Sequence, residues 1–309
     1  MAGVDSLPGD KGSIYMFAGK GGVGKTTCAA TTALHYASLG KKTLAISTDA
    51  TPSLAHIFEV PDGRKTIRIQ DLLYISELGL NEVEEMWDRK FGREVYQVFS
   101  SFVAIDYDSF VDFMTSMLPG LSDEFMVDYI RELRQSGGYD AIIWDTAPLG
   151  QTLALLQTPA MLVEHLRLAP RIYSRLKLGR SSREPVLGIL KRWQKLSADN
   201  LDFLREEVRF SLVTIPEALA FEQLEGIFRE LHRYGFKVER LIVNNVVKTD
   251  DSEFLRVRAE QQKKYLGMIY ERYSGLEIIE LPMRPYEIKG LDRLREMGKS
   301  LFSTTTPGY

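Results

Sequence analysis

The stretch that most constrains this chain runs from Gly19 to Thr27 and reads Gly-Lys-Gly-Gly-Val-Gly-Lys-Thr-Thr. An apolar run, Ile14 to Phe17, leads into it, and a helix-forming stretch, Thr26 to Leu39, leads out to a capping Gly40. Gly19, Gly24, Lys25 and Thr26 meet the spacing G-x-x-x-x-G-K-[ST] in the strand–loop–helix setting that the pattern requires. Gly19, Gly21, Gly22 and Gly24 allow a tight curl, so that backbone N–H groups from Lys20 through Val23 to Thr27 converge on phosphates at a helix N-terminus. In such a loop Lys25 reaches the β- and γ-phosphates and the Thr26 hydroxyl holds Mg²⁺. The expectation is a nucleoside triphosphate site.

Lys20 sharpens that expectation. An ordinary P-loop tolerates almost any residue there, and a solvated loop lysine is the plain alternative. The whole nonapeptide, however, resembles the deviant P-loop shared by MinD, ParA, the nitrogenase iron protein and ArsA. That resemblance implies a homodimer in which Lys20 crosses to the nucleotide of the other subunit.

A chain of 309 residues, 44% hydrophobic, suffices for one large α/β domain or two small ones. Its net charge of −3 argues against a nucleic-acid partner, because phosphate neutralisation needs clustered Lys and Arg. One cysteine, Cys28, excludes intrachain disulfides and cysteine-based zinc sites within one chain, so no zinc is expected. Residues 1–12 read as a flexible polar tail without a signal-peptide core, and no stretch approaches the ~20 apolar residues of a membrane span. A cytoplasmic location is expected.

Further strands are predicted at Thr43–Ser47, Leu73–Ile75, Ala141–Trp144, Phe210–Ile215, Leu241–Asn244 and Glu277–Leu281. Their alternation with helices indicates an α/β fold, a P-loop NTPase with a mostly parallel sheet covered by helices. Two blocks interrupt it, at about 80–135 and 160–206, with helical spacing in Val83, Met86, Trp87 and Phe91 and in Val186, Ile189, Leu190 and Trp193. Residues 13–309 are therefore read as one ATPase domain carrying an α-helical insertion subdomain.

Two acidic residues end apolar strands, where ligands of open α/β sheets bind. Asp49 is suited to orienting or deprotonating an attacking water; capping the next helix is the equal alternative. Asp145 suits a Walker-B carboxylate that holds Mg²⁺ directly or through water. The match then widens. Asp145 to Gln157 resembles switch II, and Ser47-Thr48-Asp49 with Ser53-Leu54 switch I, of the ArsA-type ATPases. These include the arsenite pump ATPase and the ATPase that targets tail-anchored membrane proteins. Pro119-Gly120 with Asp123-Glu124, Ile215-Pro216-Glu217, Ile242-Val243-Asn244, Gln261 to Leu266 and Pro282 to Gly290 are similar to further segments of that family. The resemblance implies ATP or ADP as ligand, catalytic roles for Asp49, Lys20 and Lys25, and a switch II hinge at Gly150. It also implies contacts from Glu217 and Asn244 to ribose or base, with Pro282, Met283 and Arg284 packing around adenine. An Asn side chain matches the donor and acceptor edge of adenine; without the resemblance, Asn244 reads as a strand-end turn residue.

The departures bear on the client. Pro52 stands where the family's switch I has histidine, and Leu149, Gln151 and Ala154 replace polar switch II residues. Targeting members share a zinc between subunits through Cys-x-x-Cys, where this chain has Ser252-Glu253-Phe254-Leu255. One cysteine also makes thiol capture of arsenite unfavourable. The resemblance implies capture of hydrophobic transmembrane segments of tail-anchored proteins and delivery to a membrane receptor. The alternatives are an ATPase subunit driving anion or arsenite efflux and a MinD- or ParA-like positioning switch. Met86, Trp87, Phe99, Phe102, Phe110, Met114, Met117, Leu118, Met126, Met161, Leu162 and Trp193 are the apolar candidates for a client groove, and for most of them a core position is the simpler reading. Arg171 to Arg183, with five basic residues, reads as a solvated loop or as a contact to acidic client flanks.

Overall fold

A computed structural model describes residues 13–49, 53–61, 66–100, 104–111, 121–147, 149–173, 180–249 and 251–302. The expected tail 1–12 and Pro52 of switch I lie outside the described residues. So do Phe102, Met114, Met117, Leu118, Pro119, Gly120 and residues 174–179 of the basic stretch, as do the side chains of Val83, Phe99, Leu149, Gln151, Leu162 and Val186.

The chain divides into two compact units, one formed by 1–77, 137–152 and 208–309, the other by Leu78–Ser136 and Leu153–Glu207. The first holds an eight-stranded sheet in the order β3-β4-β2-β5-β1-β6-β7-β8. Its strands are β1 (Ser13–Gly19), β2 (Thr43–Ser47), β3 (Ile67–Gln70), β4 (Leu73–Glu77), β5 (Ala141–Asp145), β6 (Val208–Thr214), β7 (Val238–Val246) and β8 (Glu277–Pro282). All pair in parallel except β3 with β4. The central strands read as continuous apolar runs because both faces are covered: β2 and β5 are buried at every residue. On one face the helices Lys25–Ser38 and Gly290–Leu301 close a core with Tyr15, Phe17, Ala45, Ile143 and Ile242. Expected strand positions are met throughout, with ends differing by a few residues.

The exception is β3, which the sequence did not predict. It is short, lies at the sheet edge and alternates, with Ile67 and Ile69 packed on the core and Arg68 paired with Asp71 in solvent. Its two-residue turn is Asp71-Leu72, with Leu72 at φ 64. The usual hairpin signal places Gly or Asn where φ is positive, so nothing in Asp-Leu announces a turn.

The second unit is helical. Leu80–Trp87 runs through a π turn, Asp88–Gly92, into Arg93–Phe99; the helices Leu121–Gln135 and Arg180–Glu206 follow in chain order. Met86, Trp87, Phe91, Phe110, Phe125, Ile189 and Leu196 form its core, with Met126 and Trp193 packed against it. Of the described groove candidates, Met86, Trp87 and Phe110 are thus core residues, whereas Met161 is 49% exposed.

Candidate nucleotide site

The helix Lys25–Ser38 begins at Gly24 with no side-chain cap and no acidic residue in its first turn. Its first N–H groups are thereby left for an anion. Two glycines are required on steric grounds. A Cβ on Gly19 would fall 2.2 Å from the Val213 carbonyl oxygen, and one on Gly24, at φ 99, would fall 2.5 Å from the Asn244 amide nitrogen. Gly21 and Gly22 are exposed at the tip, while Val23 is buried beneath it.

Lys25 is buried and donates from Nζ to the Lys20 carbonyl oxygen at 3.3 Å. Burial lowers its pKa, against the opposing pull of Asp145 and Asp49. Lys20 and Thr26 are half-exposed in the same loop, with Thr27 beside them.

Asp145 ends β5, in register with Phe17 of β1 and Ser47 of β2, and is fully buried. Ser47 and Ser53 each donate a hydroxyl hydrogen bond to its Oδ2 at 3.4 Å. Its Oδ1 has no partner among the described residues. Burial pushes the Asp145 carboxyl up to about 6; the nearby Thr26 hydroxyl and Lys25 pull it down, while Asp49 pushes it further up. A buried carboxylate oxygen left bare beside a threonine hydroxyl fits a Mg²⁺ ion, a hard cation that takes one or two protein oxygens and keeps waters and phosphate oxygens. The donor set therefore suits the implied metal.

Asp49 is half-buried just past β2, its backbone N–H donating to the Ser47 hydroxyl at 3.2 Å. The N-cap position of the following helix, Leu54–Phe58, belongs to Ser53 instead. That helix start is held by Glu77, at the end of β4, whose Oε1 accepts from the N–H groups of Leu54 and Ala55 at 3.0 and 3.2 Å. Sequence reasoning placed Ser47 and Ser53 in the switch I segment but not on Asp145, and it missed Glu77. The serines' partner lies on another strand, nearly a hundred residues away, and Glu77 carries no local signal.

The remaining expected residues also lie at carboxyl ends of strands. The Asn244 amide donates from Nδ2 to the Val23 carbonyl oxygen at 2.9 Å, so it braces the P-loop. Glu217 precedes the helix Ala218–Arg233, and its Oε1 accepts from Arg258 at 2.8 Å. Pro282 ends β8, the Met283 N–H donates to the Val246 carbonyl oxygen at 2.8 Å, and Arg284 pairs with Glu296 at 3.2 Å. Gln262, buried on the helix Glu253–Arg272, accepts from Val247 N–H at 2.8 Å and donates to the Asn245 carbonyl oxygen at 3.0 Å. It thereby fixes the chain as it leaves β7, where Asn245 adopts φ 57. Gly150 lies in the first turn of the helix Leu149–Tyr173. Ser252 caps the helix Glu253–Arg272, accepting from Leu255 N–H at 3.2 Å. Cys28 is fully buried, and burial drives its thiol pKa upward.

The sequence model of the anion-transporting ATPase (ArsA) family matches residues 13–303. A putative arsenical pump-driving ATPase 2 of Aquifex aeolicus is 30% identical over 93% of this chain and 98% of its own length. ATPase GET3 of Komagataella phaffii is 29% identical over 94% of this chain and 91% of its own. ATPase GET3A of Arabidopsis thaliana is 28% identical over 94% and 83%. A P-loop braced from β7, a buried strand-end carboxylate and a match along nearly the whole sequence converge: this chain is an ATP-hydrolysing member of the anion-transporting ATPase (ArsA) family.

Proposed function

We propose that this protein is a homodimeric, Mg²⁺-dependent ATPase that uses its nucleotide cycle to capture and deliver tail-anchored membrane proteins. The observation that carries the switch is the environment of Asp145. A buried carboxylate answers to Lys25 and Thr26 of the P-loop and is hydrogen-bonded by Ser47 and Ser53, which flank the segment after β2. A change at the phosphates therefore alters the groups that position Asp49.

Residues Gly19 to Thr27 cradle the phosphates, Lys25 neutralises them, and Asp49 orients and polarises the attacking water. Thr26 and Asp145 would hold Mg²⁺, which when bound supplies charge neutralisation on the phosphate oxygens. Lys20 completes the site of the partner subunit. Glu217, Asn244 and the Pro282–Arg284 segment flank the nucleoside. The helical unit shapes the client site, and Met161 is the exposed apolar residue among its described candidates. The protein works in the cytoplasm and hands its clients to a membrane receptor.

The arsenical names of several relatives favour a second reading, an ATPase driving anion efflux. Soft metalloids are held by thiolates, and this chain's one cysteine is buried with its ionisation suppressed. The test is co-expression of Asp49→Asn with a tail-anchored protein, then pulldown and sizing with and without ATP. Capture that requires the transmembrane segment is expected. A normal ATP-driven dimer without capture removes the targeting role, and arsenite-stimulated ATP hydrolysis by the wild type would install the second reading.

A further inference from the structure

Glu124, Ser197 and Asn200 are fully buried in the helical unit, Glu124 on the helix Leu121–Gln135 and the other two on Arg180–Glu206. Ser197 and Asn200 are three residues apart and so share a helix face. The Asn200 amide donates from Nδ2 to Glu124 Oε1 at 2.9 Å and lies 3.3 Å from the Glu124 carbonyl oxygen. Glu124 Oε2, Asn200 Oδ1 and Ser197 Oγ have no hydrogen-bond partner among the described residues. Native interiors rarely leave three such oxygens unmatched. Two of them, the free carboxyl oxygen and the free amide oxygen, are the pair that one added proton would join.

The charges facing this group do not supply a counterion of its own. Asp128, one turn along the same helix and also fully buried, is a second carboxylate that engages Lys90 and Arg131. Lys90, from the Asp88–Gly92 turn, is shared with Glu132 at 2.7 Å, which Arg89 also contacts at 3.1 Å. Arg131 is shared with Asp199 of the opposite helix at 3.3 Å. Three cations thus serve three carboxylates, none of them Glu124.

We propose that the folded helical unit binds a proton at Glu124, and that the Oε2–H group, donating to the Asn200 carbonyl oxygen or the Ser197 hydroxyl oxygen, latches the helix Leu121–Gln135 to the helix Arg180–Glu206. The electrostatics agree. Burial pushes the Glu124 carboxyl up to about 7, and Asp128 adds to the rise, against the pull of Ser197, Asn200 and Arg131. The acid is raised above its unfolded value of about 4.3, so its stabilising contribution is complete below that value and is lost as pH rises through about 7. Within that window the folding constant falls roughly tenfold per pH unit.

The experiment is chemical unfolding of the full chain from pH 5 to 8, for the wild type and for Glu124→Gln. Glutamine keeps the shape, accepts from Asn200 and donates in place of the acid proton. Titrations of other groups are common to both proteins and cancel. Between pH 5 and 7.5 the wild-type folding constant should fall relative to the variant by about tenfold to a hundredfold, with no further relative change above pH 8. Parallel profiles overturn the proposal. If Glu124→Gln does not fold, ¹³C carboxyl shifts of the wild-type glutamates decide. One glutamate titrating near 7 supports the latch, and titration of all of them below about 5 removes it.

Discussion

At the residue scale the site turns on one carboxylate whose burial is a cost to the free protein. Asp145 is fully buried, and its carboxyl is pushed up to about 6 because loss of solvent outweighs Thr26 and Lys25. Its folded value exceeds the unfolded value of about 3.9, so the associated stability is present below that value and lost as pH rises through about 6. At pH 8 the nucleotide-free protein carries the full cost, about 2–3 kcal/mol for a shift of about two units. Asp145→Asn, of the same shape without the charge, should therefore raise the melting temperature of the nucleotide-free protein at pH 8 while reducing ATP turnover by a hundredfold or more, on the scale of ~10²–10³ found for lost electrostatic groups. A lower melting temperature at pH 8 would show that the ionised side chain is stabilising as it stands. Asp49 lies at the other extreme, half-buried, with the N-cap position of the next helix held by Ser53 instead. Asp49→Asn should keep ATP binding and lower turnover by ~10²–10⁴, the usual range for a group that handles a proton in the transition state; near-normal turnover takes it out of the chemistry.

At the element scale, legibility followed burial and local chemistry. Strands β1, β2, β5 and β6 could be read because parallel strands covered on both faces are nearly unbroken apolar runs, and β7 and β8 because each keeps a short apolar run. The P-loop could be read because Gly19 and Gly24 answer to contacts that admit no Cβ. Strand β3 could not, because an edge hairpin with an Asp-Leu turn presents neither signal. Asn244 could be placed at a strand end but not on the P-loop, because its partner, the Val23 carbonyl, is far away in sequence. Gln262 was named only within a motif, and its work became visible through tertiary hydrogen bonds to Asn245 and Val247. Those two bonds fix the corner after β7, against which Met283 also docks through the Val246 carbonyl. Gln262→Ala leaves a buried N–H and carbonyl unmatched, at a cost of ~1–3 kcal/mol. Nucleotide affinity should fall by about five- to a hundredfold in equilibrium binding, with kcat at saturating ATP changed much less. Unchanged affinity in a destabilised variant would detach this corner from the nucleoside.

At the scale of the whole molecule, the decisive question is whether one subunit holds a complete site. Lys25 leans on the Lys20 backbone carbonyl, so the two lysines occupy one loop with the Lys20 side chain only partly covered by its own chain. Under the proposed dimer, Lys20 serves the nucleotide of the other subunit, while Asp49 serves the nucleotide of its own. Lys20→Ala and Asp49→Asn should then each be nearly inactive as pure dimers, with unfolding midpoints close to wild type. Mixed together they should not stay inactive. In a heterodimer the Lys20→Ala subunit keeps its own Asp49 and receives Lys20 from its Asp49→Asn partner, so one of the two sites is whole. Random exchange makes half of the dimers mixed, and a two-fold symmetric interface then predicts recovery to roughly a quarter of wild-type ATP hydrolysis. A lysine acting within its own subunit predicts no recovery at any ratio, because no subunit would hold both groups. Mixing two inactive proteins therefore separates a shared site from a self-contained one without any assumption about the client.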